Sequence, residues 1–214
     1  MREIRPYRTV RGARQALDNG GRFFNLFARS GDDRVDSAEL ARAAGVYSTG
    51  MRAFLYFEMA LMELPPAGRS EVVSRLSPDL EPRYQANRPK ILIPSSVESE
   101  GQAGTPTIVA GYPMFVEDRT QFTGFIILVV KPTIVLLPVF DQFDVYEVFD
   151  APEMRTPRTV IATVQGFRRL DGVHARFGGV LKELYFEDKT GGEHGLYLET
   201  MYYTPVEGAL DPGG

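Results

Sequence analysis

Along the first third of the chain, apolar residues recur at helical spacing, whereas from Thr107 onward they come in short dense runs cut by Pro, Gly and Asp. Ala16, Leu17, Phe23, Phe24, Leu26 and Phe27 lie between Arg11 and Arg29, interrupted by Gly20 and Gly21, which predicts a helix beginning at or just after Asn19. A second helix is expected over 37–44, capped by Asp36 or Ser37 and stopped by Gly45. The segment 50–64, GMRAFLYFEMALMEL, is apolar almost all round with Glu58 in its middle, so it must be buried on most sides. Arg52 and Glu58 would be awkward in a core, which leaves one flank for solvent or a partner chain and makes an oligomer through 50–64 one expectation. Pro65 and Pro66 end this helix, and another short one is expected over 70–76. Rich in Pro, Ser, Gly and Gln, 77–106 reads as an irregular connector with a short strand at 90–93.

The later runs, 108–116, 122–130, 133–139, 144–149, 158–169, 173–187 and 196–203, predict about seven strands in an antiparallel β-barrel or sandwich. The fold class is therefore α+β: a basic arm 1–18, a helical module 19–76, the connector 77–106, a β-barrel domain 107–205 and a tail 206–214. Asp171-Gly172 predicts a two-residue hairpin joining 158–169 to 173–187. A second turn at 188–192 would set Tyr203 against Phe177, Met201 against Gly179, Glu199 against Leu181 and Tyr197 against Glu183. That register gathers Phe177, Tyr185, Tyr197, Met201 and Tyr203 as a ligand-lining set and brings Glu183, Glu199 and Tyr197 together as acid-base candidates. A slip of one residue would reverse the faces.

Composition narrows the chemistry. With 43% apolar residues over 214 positions the chain can bury a core unaided. The absence of Cys excludes disulfides and thiolate sites, and His174 and His194 are the only imidazoles. They fall at opposite ends of the predicted strand pair and so would not share a metal. The acidic series Asp141, Asp144, Glu147 and Asp150 has a spacing of three, which alternates faces on a strand and builds no metal cage. No apolar stretch reaches the roughly 18 residues of a transmembrane helix, and no secretory signal is evident, so a soluble protein is expected. The net charge of −4 hides an asymmetry: residues 1–30 carry seven Arg against Glu3 and Asp18. Such an arm is solvated or docks on an acidic protein surface; the acidic remainder would repel phosphate, and nucleic acid is excluded on that ground.

The stretch FFNLFARSGDDRVDSAEL, residues 23–40, resembles an EF-hand helix-loop-helix. With Glu39 as the last loop position, Val35 takes the eighth, and Phe24 and Phe27 the aromatic positions of the entering helix. The resemblance implies a calcium site made by Ser30, Asp32, Asp36 and Glu39, with the Arg34 carbonyl at the seventh position. Ala28 at the first position and Asp33 in place of the usual turn glycine weaken it, so calcium binding is expected to be weak and no other cofactor is expected. The partner hand would be 51–76, whose loop 63–74 lacks a ligand series. The ending GLYLETMYYTP resembles, faintly, the terminal strand of lipocalin-like barrels such as the plastid fibrillins.

These features point to a non-enzymatic binding or scaffolding protein that engages a protein partner or an apolar small molecule. The alternatives are a cofactor-free barrel enzyme (isomerase, cyclase or lyase) acting on a hydrophobic substrate through Glu183, Glu199 and Tyr197, and a weakly calcium-responsive adaptor.

Overall fold

The computed structural model describes residues 1–19, 31–115, 126–130, 133–137, 143–153, 158–164, 170, 172–188 and 191–206. The fold is α+β, and the chain divides into a helical unit, Glu3–Pro89, and a β unit made of Met1–Arg2 with Lys90–Gly214.

The helical unit contains α1 (Val10–Leu17), α2 (Ser37–Ala44), α3 (Met51–Leu61), α4 (Pro66–Val73) and α5 (Leu80–Ala86). Their ends are fixed by neighbours. Thr9 caps α1 by accepting from the Gly12 N–H at 3.1 Å, and Asp36 with Glu39 forms a reciprocal capping box on α2. Gly45 then ends α2 with φ 69°, a left-handed conformation that suits a residue without Cβ. Pro66 lets α4 begin four residues before the expected start, because a first-turn N–H has no intrahelical acceptor to lose. The core joins Leu17, Leu40, Phe54, Phe57, Leu61 and Tyr84. Phe57 meets Tyr84 edge-on, with ring centroids 5.2 Å apart. Burial of eight of the eleven α3 residues uses inside the chain the apolar surface that the oligomer expectation assigned to a partner copy. The helix expected from Asn19, with Phe24, Phe27, Ala28 and Ser30, lies outside the described residues.

The β unit contains β2 (Lys90–Leu92), α6 (Val97–Glu100), β3 (Pro106–Phe115), β4 (Ile126–Val130), β5 (Thr133–Leu137), β6 (Phe143–Phe149), β7 (Arg158–Val164), β8 (Ala175–Asp188) and β9 (Gly191–Pro205); β1 (Arg2–Glu3) is a two-residue strand at the chain's start. The sheet is open, with the order β1-β9-β7-β6-β3-β2, and β8 pairs with both β3 and β9. The expected single antiparallel barrel of seven strands is corrected in two respects. β7 runs parallel to β9 and β2 parallel to β3, and β4 with β5 forms a separate two-stranded sheet. The Asp171-Gly172 hairpin is corrected too. Gly172 has φ 73° and the Val173 N–H reaches the Leu170 carbonyl at 3.3 Å, so a local turn forms. The strands flanking it take other partners, β6 and β9 for β7, β3 and β9 for β8.

The β8–β9 ladder follows the predicted register below Gly178, where Phe177 faces Tyr203, and slips by one above it, where Leu181 faces Leu198. Met201 is the extra residue of the resulting bulge. Gly179 permits it: a Cβ there would stand 2.1 Å from the Glu199 carbonyl oxygen. The β core joins Val109, Tyr146, Ile161, Phe177, Leu181, Leu198 and Tyr203.

Candidate functional site

An isolated glutamate in an apolar helix demands a partner, since an unpaired buried carboxylate is costly by several kcal/mol. Glu58 on α3 is 3% exposed and has two partners. The Tyr84 hydroxyl donates to Oε2. The Arg88 guanidinium donates from Nε to Oε2 at 3.2 Å and from Nη2 to Oε1 at 3.0 Å, a forked pair. Burial, and then the hydrogen bond to the carboxylate, push the Tyr84 hydroxyl well above its ordinary value; the bond to Glu58 holds the Arg88 guanidinium above its own. Tyr84 lies on α5, and Arg88 follows two residues past its end at Ala86. The two partners stand 26 and 30 residues beyond Glu58 in sequence. The cluster borders a cleft of about 220 Å³, shared with Leu61, Arg69, Ser70 and Val73. Arg69 is held by bonds to the Leu64 carbonyl at 2.8 Å and the Met62 carbonyl at 2.9 Å, beyond the end of α3.

In the loop that resembles a calcium site, side chains already hold the backbone. Asp18 accepts from the N–H groups of Gly31 at 2.6 Å and Asp33 at 2.9 Å. Asp33, at φ 63°, carries ion pairs to Arg14 and Arg75. Asp32 accepts from the Arg34 N–H at 3.1 Å. Asp36 accepts from the Glu39 N–H at 2.8 Å, while Glu39 accepts from the Asp36 N–H at 3.0 Å and is itself buried. Asp36 and Glu39 thus each spend one carboxylate oxygen on the α2 cap; among the described residues no group of three or more acidic or His side chains is arranged to hold a metal. Val35 does bridge a second segment, at Leu76, but in parallel, and α4 occupies most of the predicted partner loop.

The bulge separates the acid-base candidates of the β unit. Above it Tyr197 faces Lys182 and Glu199 faces Val180, whereas Glu183 faces Leu196 and alternates onto the opposite side of the ladder. Glu183 is exposed. Glu199 pairs with Lys182. Tyr197 is buried, and that burial, with the Glu199 charge, pushes its hydroxyl up to about 12. Of the predicted ligand-lining set, Phe177 and Tyr203 meet in the core, Met201 sits in the bulge, and Tyr185 is in register with His194; the Tyr185 side chain lies outside what is described. His174 stacks on Tyr112 with centroids 4.8 Å apart, and burial, then the Arg176 charge, hold its pKa below the ordinary 6.5.

No family model matches the chain, and no curated protein matches it either. Among solved structures it is similar to a mitochondrial single-stranded DNA binding protein from S. cerevisiae, Rim1, at 12% identity and a TM-score of 0.30, over 49% of this chain and 97% of that one. With a single-stranded DNA binding protein as a structural neighbour, the exclusion of nucleic acid drawn from charge is withdrawn. A likeness of that size assigns nothing to this chain.

Proposed function

We propose that this chain is a non-enzymatic binding protein whose β unit holds single-stranded nucleic acid. One observation carries the reading. β3 pairs with β6, β6 with β7, β7 with β9, β9 with β8, and β8 with β3 again, every pair antiparallel except β7 with β9. Five strands so connected correspond to a partly open barrel of the oligonucleotide- and oligosaccharide-binding kind. Ligands of that arrangement lie across the second and third strands, between the loop joining the first two and the loop joining the last two. Here those are β6 and β7, the segment carrying β4 and β5, and the link from β8 to β9. The half-buried, stacked pair of Tyr112 and a neutral His174 supplies aromatic surface of the type on which bases stack.

Because one arrangement serves several ligands, direct binding is the test. In fluorescence anisotropy, a labelled oligothymidine of about 16 nucleotides should bind saturably at roughly 50 mM salt and weaken as salt rises. Tyr112→Ala should lower the affinity about tenfold. Failure of both oligothymidine and an oligoribonucleotide to bind would overturn the reading, and saturable binding of an oligosaccharide in their place would replace the ligand.

A further inference from the structure

We propose that the cleft among α3, α4 and α5 binds a carboxylate ligand with a short apolar body, independently of the β unit. A guanidinium has five N–H donors. Arg69 spends two on the Leu64 and Met62 carbonyls and keeps three in a plane already fixed, while Arg88 spends two on Glu58 and bonds Tyr84 as well, keeping up to two. Both oxygens of Glu58 are engaged, by Tyr84 and Arg88. The cleft thus offers donors, with Ser70 adding a hydroxyl, and calls for an acceptor. Its charges decide which acceptor: Arg69 and Arg88 are balanced by Glu58 and Glu81, so the cleft has no net field to hold a dianionic phosphate, while a rigid fork of N–H groups matches one carboxylate. Leu61 and Val73 supply the apolar wall, and about 220 Å³ is smaller than a pocket for a drug-sized molecule, which limits the body to a few carbons. Fixing both guanidinium planes beforehand removes part of the ordering cost of binding.

The experiment is a backbone amide NMR titration of the full chain with isovalerate, N-acetylvaline and N-acetylvaline amide. The two acids should produce saturable shifts at Ser70, Val73, Gln85 and Arg88 in the millimolar range, and the amide none. Tighter binding of isovalerate identifies a free organic acid as the source; tighter binding of N-acetylvaline identifies a peptide terminus. Arg69→Lys should weaken both acids about tenfold. Should that variant fail to fold, Arg88→Lys replaces it with the same expectation. Shifts that do not saturate at tens of millimolar, or an amide that binds as well as its acid, overturn the proposal.

Discussion

The two units hold polar groups in contrasting ways. In the helical unit a carboxylate is taken inside and answered by side chains, Glu58 by Tyr84 and Arg88, while Asp33 gathers Arg14 and Arg75 across stretches of 19 and 42 residues. The helices α1 and α2 are each capped by the side chain just before them, Thr9 and Asp36. In the β unit the main chain does most of this work through ladders between distant strands, such as Gly111 with Ala175. Its ion pair Lys182–Glu199 is about a third exposed, a class worth no more than about 1 kcal/mol. The helical unit therefore depends on individual side chains, and the β unit on how closely two backbones can approach.

The largest effect that would test this contrast is loss of a core ring. Phe57→Ala in the helical unit and Phe177→Ala in the β unit should each cost about 3–5 kcal/mol, measured as the denaturant midpoint of amides in the unit concerned. An unchanged midpoint would mean that the core is drawn wrongly. Next, Gly179→Ala should cost about 3 kcal/mol, because its Cβ has only backbone to displace. If it is tolerated, the bulge is not where the ladder is set. Arg88→Ala should cost about 2 kcal/mol, less than a fully buried pair because the Arg88 side chain is 53% exposed. A cost equal to that of a surface pair would show that Tyr84 alone satisfies Glu58. Asp36→Ala should cost about 1 kcal/mol through the lost cap. Millimolar calcium should leave the Tm of both proteins where it was; a rise in the parent that vanishes in Asp36→Ala would restore the metal loop.

The smallest effect concerns His174. Its folded pKa lies below 6.5, so it contributes stability that is complete above the unfolded value and is lost as pH falls through the folded one. Urea midpoints measured from pH 7 down to pH 4 should therefore fall less steeply in His174→Gln. A steeper fall would reverse the sign of the assigned shift.

Local signals were readable and distant ones were not. The α2 cap, the Gly45 stop and the burial of α3 follow from residues adjacent in sequence, and the strands of the second half announce themselves by composition. Leu170 to Val173 makes its turn as Asp171-Gly172 suggests, yet nothing in those residues says that β7 will run beside β9 instead of β8. The register of β8 and β9 was correct up to Gly178 and failed where one glycine admits a bulge, which carried Glu183 away from Glu199 and Tyr197. Glu58 was conspicuous in sequence. Its partners required knowing that α5 packs against α3, so the cleft was not legible.

The parallel pairing of β7 with β9 also orders events during synthesis. Once β7 has left the ribosome, one edge has β6 to pair with, but the other must wait for the whole of β8 and then for Tyr197 to Glu199. β8 faces the same wait on its β9 side. The nascent β unit thus carries open edges through most of its own translation, an aggregation hazard that the earlier-emerging helical unit does not share.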